Sequence, residues 1–202
     1  MARPRSVIAG FFLRALLWLA PALAAWYWAR DYVVMPAAWL ADKVMLYFFP
    51  HWVNGTELNG INLTLLTRLT VPHASGRIAE LAPEVSVLSY CYGVPLLLAL
   101  FLASRAKALW WKFPLCALGL VPFQAWGVCF AWLVPIAVQS GQLTRSTTYF
   151  TALDQNLFGL GYQIGYLLLP TLIPMLMWIY LERSFVITVA VEGSMEGSVP
   201  RQ

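Results

Sequence analysis

Charge is scarce in this sequence. Only 11% of its 202 residues are Asp, Glu, Lys or Arg, and 60% are hydrophobic, against about 25% charged and roughly 45–50% apolar in an ordinary soluble domain. A water-soluble fold cannot hide that much apolar surface. Histidine is scarcer still. His51 and His73 lack the paired-His, Cys-x-x-Cys or carboxylate spacings that assemble three or four ligands, so no metal or other cofactor is expected. Cysteine is limited to Cys91, Cys116 and Cys129, an odd number with the last two inside an apolar run, which excludes a disulfide framework. The net charge of +4 is small, and its basic residues lie beside apolar blocks instead of being interleaved with polar and aromatic ones. That arrangement argues against nucleic acid as a partner and for membrane topology.

What the chain does have is apolar blocks of the length that crosses a hydrocarbon core, about 30 Å or roughly 20 helical residues. The reading is an all-α polytopic membrane protein with about four transmembrane helices. A first span runs from residue 7 to about residue 32 behind Arg3 and Arg5. It is too long for a signal peptide and ends in the aromatic belt Trp26, Tyr27 and Trp28. Residues 33–50 place Met35, Trp39, Leu40, Val44, Met45 and Phe48 at helical spacings beside Asp42 and Lys43, the pattern of an interfacial amphipathic helix or of a buried helix continuing the span. Residues 51–88 have the texture of a water-facing segment. Asn54-Gly55 and Asn59-Gly60 signal turns, and Ile61, Leu63, Leu65, Leu69 and Val71 alternate with polar residues as in a half-buried strand, so a β-hairpin or three-stranded segment is expected. Three further spans are expected within residues 89–181: about 89–104, about 110–138 with Pro114, Pro122 and Pro135, and about 156–180. A polar loop at 139–155 and a short, loose tail at 182–202 complete the layout.

Orientation follows from basic residues. Arg3, Arg5, Arg14, Arg105, Lys107, Lys112, Arg183 and Arg201 fall on one side, and Arg30, Lys43, Arg68, Arg77 and Arg145 on the other. The positive-inside rule then puts both termini in the cytoplasm and residues 51–88 outside. Asn54-Gly55-Thr56 and Asn62-Leu63-Thr64 match a glycosylation acceptor pattern, but turn and strand propensity account for both.

Few constellations could carry chemistry. Cys91 with His73 and Arg77 would form nucleophile, base and charge stabiliser for acyl transfer. Their spacing matches no known signature, and a cysteine between Tyr90 and Tyr92 at a helix start is ordinary packing. A small-solute transporter would need ionisable groups at mid-span. Only the amides of Gln124 and Gln163 interrupt the expected span centres, either as internal glue or as contacts to a partner helix. Gly159, Gly161 and Gly165 give the last span a small-residue face with GxxxG spacing, for a neighbour in the same chain or in another. Tyr162 and Tyr166 lie one turn apart on it.

Three segments carry a resemblance: Ser89-Tyr-Cys-Tyr-Gly-Val-Pro-Leu-Leu-Leu-Ala-Leu, Leu120-Val-Pro-Phe-Gln-Ala-Trp-Gly-Val and Gly159-Leu-Gly-Tyr-Gln-Ile-Gly-Tyr-Leu-Leu-Leu-Pro-Thr-Leu-Ile-Pro. In order and spacing they resemble the exosortase H-associated membrane proteins of Gram-negative bacteria. The resemblance implies an inner-membrane accessory of a protein-sorting transpeptidase that cleaves a C-terminal signal helix from exported proteins. Tyr-Cys-Tyr-Gly around Cys91 is unlike the sortase's own cysteine context, which favours a non-enzymatic partner over a membrane cysteine peptidase. The expected contacts are Gln124, Trp126, Gly161, Gln163 and Gly165, toward the lipid bilayer, the exosortase, its exported substrates or a second copy.

Overall fold

Prolines and glycines set where the helices of this chain begin and break. The computed structural model describes residues 7–72, 78–139 and 141–197, which divide into two compact units.

The first unit comprises Met1–Trp28, Gly93–Gly119 and Thr171–Gln202. Helix α1 (Val7–Trp28) is apolar throughout except for Arg14, whose Nε donates to the Gly10 carbonyl at 3.1 Å. The short α3 (Gly93–Ala103) packs along it. The start of α4 (Leu109–Val134), the end of α7 (Leu169–Leu181) and α8 (Arg183–Gly197) complete the unit. Phe11 stacks on Trp178 with ring centroids 5.3 Å apart and also meets Phe185, while the Trp178 indole donates to Ser104 Oγ at 3.2 Å. Lys112 Nζ donates to Glu182 Oε1 at 2.6 Å, and both side chains are largely buried.

The second unit comprises Ala29–Tyr92 and Leu120–Pro170. Helix α2 (Arg30–Phe48) buries Val34, Ala37, Ala38, Ala41 and Met45, a helical stripe of mostly small residues. Those alanines let the Cys129 thiol of α4 come within 3.9 Å of the Ala41 carbonyl. Strands β1 (Val53–Asn59), β2 (Asn62–Thr67) and β5 (Glu84–Ser86) form an antiparallel sheet in the order β1-β2-β5, and β3 (Thr70–Pro72) pairs with β4 (Ile78–Glu80). The β1–β2 hairpin closes with Asn59 opposite Asn62, and Gly60, the first of the two loop residues, takes a positive φ of +61° that favours glycine there. Leu63, Leu65 and Leu69 are buried as their alternation predicts. The Trp132 indole of α4 donates to the Leu63 carbonyl at 3.3 Å, tying the sheet to the helix.

Three helices, Ile8–Trp28, Leu109–Val138 and Ala152–Leu181, are long and apolar enough to cross a membrane. The fourth expected span, at 89–104, is not confirmed. Its helix has 11 residues, about 16 Å at 1.5 Å per residue, or half the hydrocarbon core. Pro95, which has no N–H to leave unpaired, sits in the first turn of α3, and Val87–Tyr90 is spent on a preceding 3-10 turn. Three other segments also differ from expectation. Within the expected polar loop, α5 (Gly141–Thr148) is helical. Helix α6 (Ala152–Gln163) starts ahead of residue 156 because Thr151 and Asp154 form a reciprocal capping box. The expected loose tail is α8 as far as Gly197.

Candidate functional site

Two long helices break their ordinary hydrogen-bond ladder. Pro135, lacking an N–H, opens a π-helical turn over Pro135–Gln139 at the end of α4. A second π turn, Ile164–Leu168, joins α6 to α7. Such turns leave carbonyls poorly served by their own helix, and here the Tyr92 hydroxyl donates to the Tyr166 carbonyl at 3.2 Å.

Around this turn, side chains from distant parts of the sequence interlock. A Cβ on Gly165 would lie 2.8 Å from Gly127 Cα and 3.1 Å from the Trp126 ring, so α4 meets the turn backbone to backbone. A Cβ on Gly161 would lie 2.3 Å from the Phe130 ring, and one on Gly127 would lie 2.3 Å from the Tyr90 ring. The Trp126 indole donates to the Gly161 carbonyl at 3.2 Å. Tyr90 meets Tyr166 edge to face at 5.8 Å, and Tyr162 stacks on Tyr166 at 5.9 Å. The three segments singled out in the sequence therefore converge on one packed junction.

A family model described as exosortase H-associated membrane protein matches residues 5–185. The chain belongs to this family. No curated protein and no solved structure matches it. Membership establishes an exosortase-associated membrane protein, and Tyr90, Trp126, Gly127, Gly161 and Gly165, which lie in the three segments that carry the resemblance, meet where α4 packs on the turn after α6.

The expected site residues are sorted by this geometry. Gly161 and Gly165 find their close neighbour in the same chain, on α4, and Gln124 is buried. Trp126 is 46% exposed, and Gln163 and Tyr166 are exposed. The two glutamines thus face different surroundings. Cys91 is fully buried, which withholds it from any substrate a nucleophile must reach. His73 and Arg77 lie outside the described residues, and His51 is exposed.

Sequence reading missed Tyr90, Gly127, Phe130 and Phe158. Phe130 bridges Trp126, at 4.7 Å, and Phe158, at 6.1 Å; Phe158 continues to Phe150, at 4.9 Å. The available signal was Trp126 and Phe130 at i and i+4 on α4, which share a helix face.

Proposed function

We propose that this chain is a non-enzymatic inner-membrane accessory of the exosortase system, which meets the sortase or its signal-bearing substrate through exposed side chains of α4 and of the turn after α6, among them Trp126, Gln163 and Tyr166. The observation that carries this reading is the position of Gln163. It lies about 5 Å along the helix from the midpoint of Ala152–Leu181, at 1.5 Å per residue, and its side chain is exposed. An amide at that depth faces hydrocarbon unless another chain covers it, and exposing it to hydrocarbon costs about 1–3 kcal/mol. A polar side chain on a partner helix removes that cost, and Tyr166, exposed three residues further along, offers apolar area to hold it. Gly161 and Gly165 support this surface from within by letting α4 pack against the end of α6 and the π turn.

In the proposed topology the Arg105, Lys107 and Lys112 cluster and both termini are cytoplasmic, and the sheet faces the outer side, where exported substrates arrive. The chain then returns to the cytoplasmic side through the 3-10 turn and α3.

The test is photocrosslinking in native cells, with the probe placed at Gln163, at Trp126 and, as the buried comparison, at Gln124. Capture of the sortase or of a signal-bearing precursor from Gln163 and Trp126, but not from Gln124, is expected. Equal capture from all three positions, or crosslinks confined to this chain from Gln163, overturns the reading. Crosslinks between two copies would assign this surface to self-association instead.

A further inference from the structure

A groove runs along the second unit between α2, α4 and α6, lined by Leu40, Val44 and Phe48 on one wall and by Pro122, Leu133 and Phe158 among others opposite, with a volume of about 370 Å³. We infer that this groove holds one acyl chain of a membrane phospholipid.

Its lining is the first argument. The exposed walls are almost wholly carbon, and the Trp126 indole N–H is already committed to the Gly161 carbonyl. A ligand with hydrogen-bonding groups would lose them there, whereas a hydrocarbon loses nothing. Depth is the second. Measured along Leu109–Val138, the α4 lining runs from about 2 Å off the helix midpoint, at Pro122, to about 14 Å, at Leu133. Measured along Ala152–Leu181, Phe158 lies about 13 Å from the midpoint, toward the end joined to α4 through α5. Both helices therefore place the groove between the bilayer centre and the edge of one leaflet, which is about 15 Å of hydrocarbon.

Length is the third. The α4 lining from Pro122 to Leu133 rises about 16 Å, which matches the hydrocarbon depth of one leaflet, about 15 Å, so an acyl chain extended along the groove spans it from the bilayer centre to the headgroup edge.

The experiment uses the full chain in phosphatidylcholine vesicles doped with a phosphatidylcholine that carries a diazirine midway along one acyl chain, with the labelled residues mapped after irradiation. Labelling of Val44, Phe48 and Phe158 is expected to exceed that of Leu16 and Leu17, which are exposed on α1, by about tenfold, the ratio given by a 1.4 kcal/mol preference. Val44→Trp, which fills the groove, should remove the excess while leaving the α1 labelling as it was. Even labelling of groove and α1 means ordinary bilayer contact and overturns the inference. A groove left unlabelled while α1 is labelled also overturns it, because a second copy of the chain then covers the groove. Since the comparison is made within one molecule, a Val44→Trp variant that fails to fold leaves the native labelling pattern decisive.

Discussion

Replacing Gly165 with alanine is the most direct test of the junction. The new Cβ would lie 2.8 Å from Gly127 Cα, and ordinary contact begins at 3.4 Å. The obstacle is backbone, so no rotamer change relieves it, and α4 and the π turn must separate by at least about 0.6 Å. Overpacking of this kind costs roughly 1–3 kcal/mol. Alanine recovers up to about 1 kcal/mol in helix propensity, which leaves a net loss of about 1–2 kcal/mol. The Trp126–Gly161 hydrogen bond, already 3.2 Å long, stretches with the separation. Thermal unfolding in detergent can be followed with a thiol-reactive fluorogenic dye, because Cys91, Cys116 and Cys129 are all free and buried and react only as the fold opens. A loss of that size lowers Tm by about 2–8 °C for a chain of this length. Gly159→Ala is the internal control. A Cβ at Gly159 would have no atom within 4 Å, so this variant should keep the propensity gain and melt at or above wild type. Equal melting temperatures for the two variants would refute the close approach of Gly165 to α4.

Three further outcomes are expected. Lys112→Ala strands Glu182 with 12% of its side chain exposed, and should lower stability by about 2–4 kcal/mol, whereas Lys112→Met with Glu182→Leu recovers most of that loss, measured by the same melting assay. Cys91→Ala should retain sorting of an exported reporter, because the thiol is fully buried and out of a substrate's reach; abolition of sorting by Cys91→Ala revives the cysteine-peptidase reading. Reporter fusions after Lys107 should report cytoplasm and fusions at Glu57 the outer side; the same compartment for both would overturn the proposed topology.

The sequence displayed local structure well where one periodicity dominated. Leu63, Leu65 and Leu69 alternate and are buried, Asn59-Gly60 makes its turn, and α1 was visible as an apolar run. Hydropathy was a poor guide to helix length. The run after Ser89 is apolar enough for a span, but it opens in a 3-10 turn, and only Gly93–Ala103 is α-helical. Helix α5 was hidden by hydroxyl residues of low helix propensity. It is held by the Thr144 hydroxyl on the Ile136 carbonyl at 3.2 Å and the Thr148 hydroxyl on the Thr144 carbonyl at 3.0 Å. Thr151-x-x-Asp154 was a readable start signal for α6. For the site, the GxxxG spacing of Gly161 and Gly165 announced a close helix approach without saying to which neighbour, and Gln163 was readable either as internal glue or as a partner contact, while Gly127 against Tyr90 depends on a contact between residues 37 apart in sequence, which no local pattern encodes.

The brevity of α3 also bears on how the protein is made. None of its residues, from Gly93 to Ala103, is exposed. A helix about 16 Å long cannot by itself settle across 30 Å of hydrocarbon during synthesis, and its ends can be carried at membrane depth only inside a protein sheath. Helix α1, made first and packed along it, supplies one side of that sheath. Insertion of α3 must therefore wait for assembly with its neighbours, and a nascent chain ending shortly after Ala103 should remain unsettled in the bilayer until the later helices have emerged.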